Sequence, residues 1–255
     1  MLEARIRDAR AKKKILLMTH IVVGYPSFEA SLQIVDAMVE AGVDLMELQI
    51  PFSEPMADGP VILAANQKAL AQGSTVERCL EFAATVTRRH GIPFLFMSYY
   101  NVLFRAGVAS FALRMKAAGL SGSIVPDLPP EEAGAYLPAM ERAGLAPIFI
   151  YSPSTSDERM RTIASQSRGF IYCVARKGVT GLQTNFSSDL DAYLARCRAA
   201  TKLPLAVGFG VQDKADVDFL RSKVDIAVVG SATLRLIDDK GVGAVGDFIR
   251  GLRPA

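Results

Sequence analysis

The chain has 255 residues, half of them hydrophobic and 22% charged, with 29 Lys and Arg against 26 Asp and Glu for a formal net charge of +3. This excludes the charge-rich, apolar-poor class of disordered chains, and basic residues as scattered as Arg5, Lys12, Arg88 and Arg159 form no stripe suited to nucleic acid. Three cysteines (Cys79, Cys173, Cys197) with no CxxC spacing point to neither a disulfide framework nor a zinc site and fit a reducing compartment.

The first segment, "MLEARIRDARAKKK", is charged and lacks the apolar core of a signal peptide, so it reads as an extra helix ahead of the first strand. No later apolar run reaches the roughly 18 residues of a membrane span. The expectation is a cytoplasmic protein without membrane attachment.

Apolar runs of strand length then recur at 14–23, 44–50, 93–98, 122–125, 146–151, 169–175, 203–208 and 225–230. Between them, segments such as "SFEASLQIVDAMVEA" and "ERCLEFAATVTRRH" repeat apolar residues at i, i+3, i+4 and i+7, the helix period. Three helix ends, "EAGVDLMEL", "AAGLSGSIV" and "RAGLAPIFI", place a glycine where a left-handed C-cap is needed and start a strand within a few residues. Eight strand-helix units without a glycine-rich dinucleotide fingerprint after the first strand predict a (β/α)8 TIM barrel rather than a doubly wound sheet. No linker or low-complexity tract divides the chain, so residues 1–255 are expected to form one domain.

Two longer interruptions, 51–59 and 176–187, follow strand C-termini, where barrel active sites are built. In the second strand, Met46, Leu48 and Ile50 alternate with Leu45, Glu47 and Gln49, so the all-apolar face meets the helices and Glu47 and Gln49 point into the lumen. A carboxylate there needs a partner or a proton, and burial favours its neutral form, which suits proton transfer; a structural ion network is the plainer reading. Asp58, in "ADG", alone reads as a turn or helix-start residue, and Glu54 and Asp44 read as ordinary loop and strand-entry carboxylates. His20 has the strand parity of Leu16, Met18 and Val22, which fits a satisfied core histidine or a lumen residue equally. With His90 the only other histidine, at a helix end, no metal site is expected. Glycines at 178–181, 208–210 and 230, with a helix expected to begin near Ser231, offer backbone N–H groups to a phosphate-bearing small molecule.

The stretch "ELQIPFSEPMADGP" closely resembles the signature of the tryptophan synthase alpha subunit family, and the likeness continues through "GYPS", "MSYYNVLFRAG", "VPDLPPEE", "FIYCVARKGVTG", "GFGV" and "VVGSA". The resemblance implies a barrel that cleaves indole-3-glycerol phosphate to indole and glyceraldehyde 3-phosphate by a retro-aldol step, without metal or organic cofactor. It also implies that indole is passed to a beta subunit in an alpha2beta2 complex. By position, Glu47 matches the acid that protonates indole C3, and Asp58 the carboxylate that holds the indole N–H. Tyr172, Tyr99 and Asp127 match substrate-side residues, and Thr180 a loop residue that orders Asp58. Gly181, Gly210, Gly230 and Ser231 match the phosphate site. The chain departs from the family pattern at Gln49 (usually glycine), His20 (usually apolar, beside the indole), Tyr25, Glu54 and Val61. Gln49 and His20 therefore join the expected substrate-facing residues and imply a more polar indole pocket. Two other readings are a weakly catalytic regulatory partner of a beta-like subunit and a barrel lyase or isomerase for a related phosphorylated substrate.

Overall fold

The computed structural model describes residues 1–175, 188–208 and 210–253. Its strands are Leu16–Val22 (β1), Leu45–Gln49 (β2), Phe94–Met97 (β3), Gly122–Ile124 (β4), Ala146–Ile148 (β5), Ile150–Tyr151 (β6), Ile171–Val174 (β7), Leu205–Gly208 (β8) and Ile226–Val229 (β9). Neighbours pair in parallel in the order β5-β4-β3-β2-β1-β9-β8-β7-β6.

The run 146–151, expected as one strand, is divided at Phe149. Its first half pairs with β4 and its second with β7, and the Tyr172 N–H donates to the Phe149 carbonyl at 3.0 Å between them. The two ends of the sheet are thus consecutive pieces of one stretch. Nine segments fill eight positions of a ring, and the fold is the expected (β/α)8 barrel.

Local chemistry sets the helices between strands. Ser27 and Thr75 accept from the Ala30 and Arg78 N–H groups and start the helices Phe28–Glu40 and Val76–Arg89. The three rhyming glycines, Gly42, Gly119 and Gly144, have φ of 92°, 78° and 67°. A side chain is strained there, so glycine turns each helix directly into its strand.

Two apolar layers follow from strand alternation. Outward residues, including Leu17, Ile21, Met46, Leu48, Phe94 and Phe96, pack with helix residues such as Ile34, Met38, Ala83 and Val86. Inward residues, including Leu16, Met18, Leu45, Leu95, Ile148, Phe170 and Ile226, form a separate lumen cluster, joined by Leu2 and Ile6 of the N-terminal helix Leu2–Lys12. The expected extra helix therefore stoppers the lumen at the strand N-termini, leaving the other end for polar groups. Among the described residues no helix is long and apolar enough to cross a membrane.

Asp225 ties the closed end together. Its carboxylate accepts from the Leu205 N–H at 2.9 Å, from Arg10 Nε at 3.3 Å and from Arg198, joining β8, the N-terminal helix and the helix Ser188–Ala200. Burial alone would raise its pKa, but these donors outweigh burial and hold it below the usual carboxylate value. A depressed folded-state pKa stabilises the protein above the unfolded value of about 3.9, and that contribution is lost as pH falls through the lower folded value. Asp225→Asn is predicted to cost about 1 kcal/mol in urea unfolding at pH 7, solvent at the partly exposed side chain having trimmed the charge-assisted bonds. The gap from wild type should close as pH is lowered below about 4.

Candidate active site

Register brings the polar lumen residues together. His20 lies opposite Glu47 in the β1–β2 ladder, and Val22 opposite Gln49. Leu16, Met18 and Leu45, which share their parity, sit in the lumen cluster, so His20, Glu47 and Gln49 line the lumen above it. The choice that parity left open for His20 is thereby made. Glu47, Gln49 and His20 are 2%, 0% and 4% exposed.

Each of two carboxylates has its own partners. The Tyr172 hydroxyl donates to Glu47 Oε1 at 3.4 Å, and His20 Nδ1 lies 3.8 Å from the same oxygen. Gln49 Nε2 donates to Asp58 Oδ2 at 2.7 Å, and the Tyr99 hydroxyl donates to that oxygen at 2.9 Å. Asp58 Oδ1 has no hydrogen bond among the described residues. Gln49, expected to project into the space of a bound ring, does enter the lumen, but its amide NH2 is committed to Asp58.

Burial pushes Asp58 above its ordinary pKa, with Glu47 adding a little, while His20, Gln49 and Tyr99 oppose the rise. Burial and the neighbouring carboxylates hold the Tyr99 and Tyr172 hydroxyls protonated, hence as donors. For His20, burial disfavours the cation, yet Glu47, aided by Asp58 and Gln49, outweighs it and raises the imidazole above its usual value. Asp58 is thus no mere turn residue.

The loop bearing Asp58 is fixed by residues that the sequence pattern did not single out. Fully buried Asn66, on the helix Pro60–Ala71, accepts from the Phe52 N–H at 2.9 Å, and Phe52 stacks on Tyr99 with ring centroids 5.3 Å apart. The Ala57 N–H donates to the Tyr99 hydroxyl at 3.1 Å. Gly208 is a second omission: a Cβ there would lie 2.2 Å from the Tyr172 hydroxyl, so only glycine lets that ring reach Glu47. The signals were an asparagine on the buried face of a helix and a glycine ending an apolar strand.

Other expected site residues lie around the mouth. The helix Ser231–Lys240 begins at the end of β9 after Gly230, with no side-chain cap, so the first turn directs free backbone donors outward. Gly210, with φ of 114°, follows β8. Asp127 is spent locally, accepting from the Tyr100 N–H at 2.9 and 3.1 Å and capping the helix Tyr100–Ala106. Thr180 and Gly181 lie outside the described residues, as does the loop 176–187. Buried Tyr25 donates to Asp238 and accepts from Lys68 at 3.4 Å, bridging two helices, and Val61 packs beside it; both departures serve packing. His90 bonds Asp36 at 2.6 Å at a helix end, and Asp44 accepts from the Leu17 N–H at 3.0 Å, as structural residues do. Among the described residues no three His, Cys, Asp or Glu side chains gather as a metal-holding set.

Comparison with known proteins gives this arrangement its context. The profile of the family described as "Tryptophan synthase alpha chain" matches residues 6–247. The tryptophan synthase alpha chain of Syntrophotalea carbinolica is 64% identical over 253 residues, 99% of this chain and all of that one. That of Desulforapulum autotrophicum is likewise 64% identical, over 252 residues and the same shares of each chain. A structure of Mycobacterium tuberculosis tryptophan synthase superposes with a TM-score of 0.91 at 33% identity, covering 100% of this chain and 98% of that one. Tryptophan synthase subunit alpha from Legionella pneumophila gives 0.90 at 31% identity, covering 99% and 96%. With two buried carboxylates at the mouth of the same barrel, the chain belongs to the tryptophan synthase alpha chain family.

Proposed function

We propose that this chain is a carbon–carbon lyase of tryptophan biosynthesis, cleaving indole-3-glycerol phosphate to indole and glyceraldehyde 3-phosphate. The observation that carries the reading is the pair of carboxylates, Glu47 and Asp58, raised into one lumen on separate sets of donors.

A retro-aldol cleavage needs an acid for the ring carbon and a negative partner for the charge that develops on the ring. Glu47, deep in the lumen, is the acid for C3. Asp58 has Oδ2 held by Gln49 and Tyr99, and it turns Oδ1 to the indole N–H. Splitting the roles by environment is how two carboxylates serve one reaction. The substrate phosphate goes to the backbone donors at Gly210, Gly230 and Ser231, completed by Gly181, and Thr180 closes over Asp58. Asp127 acts through the helix Tyr100–Ala106 that it caps.

The whole chain serves as one barrel domain, in the cytoplasm, as the alpha subunit beside a beta subunit. Met56, on the β2 loop, and Phe104, after β3, are 75% and 68% exposed at the mouth end, apolar surface suited to such a partner.

Purified protein supplied with indole-3-glycerol phosphate should release indole, and more of it with a beta subunit present. Glu47→Gln should lower kcat by about 10²–10⁴, the usual worth of positioned proton transfer. Asp58→Asn should lower it by about 10²–10³, as for loss of a charge-stabilising group. No indole with or without a beta subunit would sink the proposal, and variants as active as wild type would remove these roles. Gly208→Ala, by driving Tyr172 off Glu47, should cut kcat/KM at least about tenfold with an unchanged circular dichroism spectrum; full activity would show that Tyr172 is dispensable there.

A further inference from the structure

Two polar side chains in the lumen, His20 and Gln49, stand beside the two carboxylates, one against each. Gln49 has a plain task, a 2.7 Å bond to Asp58. His20 is less easily explained. It is 4% exposed, its Nδ1 is 3.8 Å from Glu47 Oε1, and its Nε2 has no hydrogen-bond partner. Gln49 Oε1 is also buried without a partner. A neutral imidazole in an apolar wall would leave its polar edges at a cost of about 1–3 kcal/mol each. A protonated one gains Glu47 as a counter-charge on one edge and the Gln49 carbonyl as an acceptor for the other.

We propose that His20 and Glu47 share one proton in the lumen, making His20 a positioning residue that sets the protonation state and orientation of the acid serving the ring carbon. The geometry stands by itself, and the chemical use of the pair rests on the lyase reading. The charged groups acting on the ring are Glu47 from β2 and Asp58 from the loop after it. The Tyr172 hydroxyl, from β7, touches Glu47 rather than the imidazole. The other neighbour of β1 is β9, which brings apolar Val228 and the Gly230 backbone, whose added Cβ would lie 3.6 Å from His20 Cβ. Two carboxylates and no cation face the imidazole, so the surroundings favour its charged form, as its raised pKa reflects.

A pair with one proton can begin and end the reaction unchanged. Glu47, as the acid, gives the proton to ring carbon C3. The bond from C3 to the side chain then breaks and its electrons return to the ring, while the adjacent side-chain hydroxyl loses its proton and becomes the aldehyde carbonyl. That proton returns to the Glu47–His20 pair, and nothing is oxidised or reduced. When the proton moves to His20, the imidazolium keeps the Glu47 carboxylate compensated within the dry lumen.

The chain's two histidines make a direct test possible by NMR of the imidazole resonances, with His20→Phe identifying the His20 signal. In wild type, His20 should titrate above the ordinary value of about 6.5, and Glu47→Gln should lower it by about one pH unit or more. An ordinary or depressed value, or one indifferent to Glu47→Gln, would overturn the proposal. A second measurement is the pH profile of kcat for His20→Phe and His20→Gln, beside their affinity for the unreactive analogue indolepropanol phosphate. With affinity within about twofold of wild type, the alkaline limb should move to lower pH by about one unit and kcat at pH 8 should fall about tenfold, part of what positioned proton transfer contributes. A uniform loss at all pH values would mark a merely structural histidine and contradict the proposal. Wild type that forms no indole would instead sink the lyase reading, while the NMR titration still decides whether the proton is shared.

Discussion

A carboxylate inside a packed barrel must be compensated, and the upper lumen is organised around that requirement. An unpaired ionised carboxylate there would cost several kcal/mol, a large share of the net stability of a domain. Glu47 is met by Tyr172 and His20, and Asp58 by Gln49 and Tyr99. These partners come from β1, β2 and β7 and from the segment after β3, so the carboxylates are compensated only when those elements hold their places around the ring. Supporting details follow from the same need. Gly208 leaves room for the Tyr172 hydroxyl, Asn66 anchors the Asp58 loop at Phe52, and Phe52 stacks against Tyr99.

The lumen divides its labour along the barrel axis. At the strand N-termini it is an apolar plug of Leu2, Ile6, Leu16, Leu45, Phe170 and Ile226, backed by the Asp225 ion cluster. Toward the C-termini, polar side chains replace apolar ones at the same parity: Leu16, Met18 and His20 on β1, and Leu45, Glu47 and Gln49 on β2. The closed end supplies stability and the open end carries strained chemistry, an arrangement that lets buried polar groups persist without dissolving the core.

Much of this was legible in the residues because period-2 alternation and glycine C-caps are local properties. The eight strand positions, the lumen direction of Glu47 and Gln49, and the left-handed Gly42, Gly119 and Gly144 follow from neighbours in the chain. Phe149 could not be foreseen as a break, since closing a ring depends on the tilt of all its strands. His20 was undecided because parity names a face without saying which side that face meets; its partner in the ladder, Glu47, decides it. Gln49 looked like an obstacle to a ring, but its amide is turned onto Asp58, a contact set by a loop nine residues away. Asn66 and Gly208 were missed for the same reason. Their tasks, a backbone N–H on another element and a hydroxyl from another strand, exist only in three dimensions.

The most direct test of the two-carboxylate lumen as the reaction site is a crystal structure of the protein with indolepropanol phosphate. The indole ring should lie between Glu47 and Asp58 with its N–H on Asp58 Oδ1, Gln49 still on Oδ2, and the phosphate at the first turn of the helix that begins at Ser231. A ring kept out of the lumen by Gln49 and His20, or a phosphate bound away from Gly230 and Ser231, would contradict it.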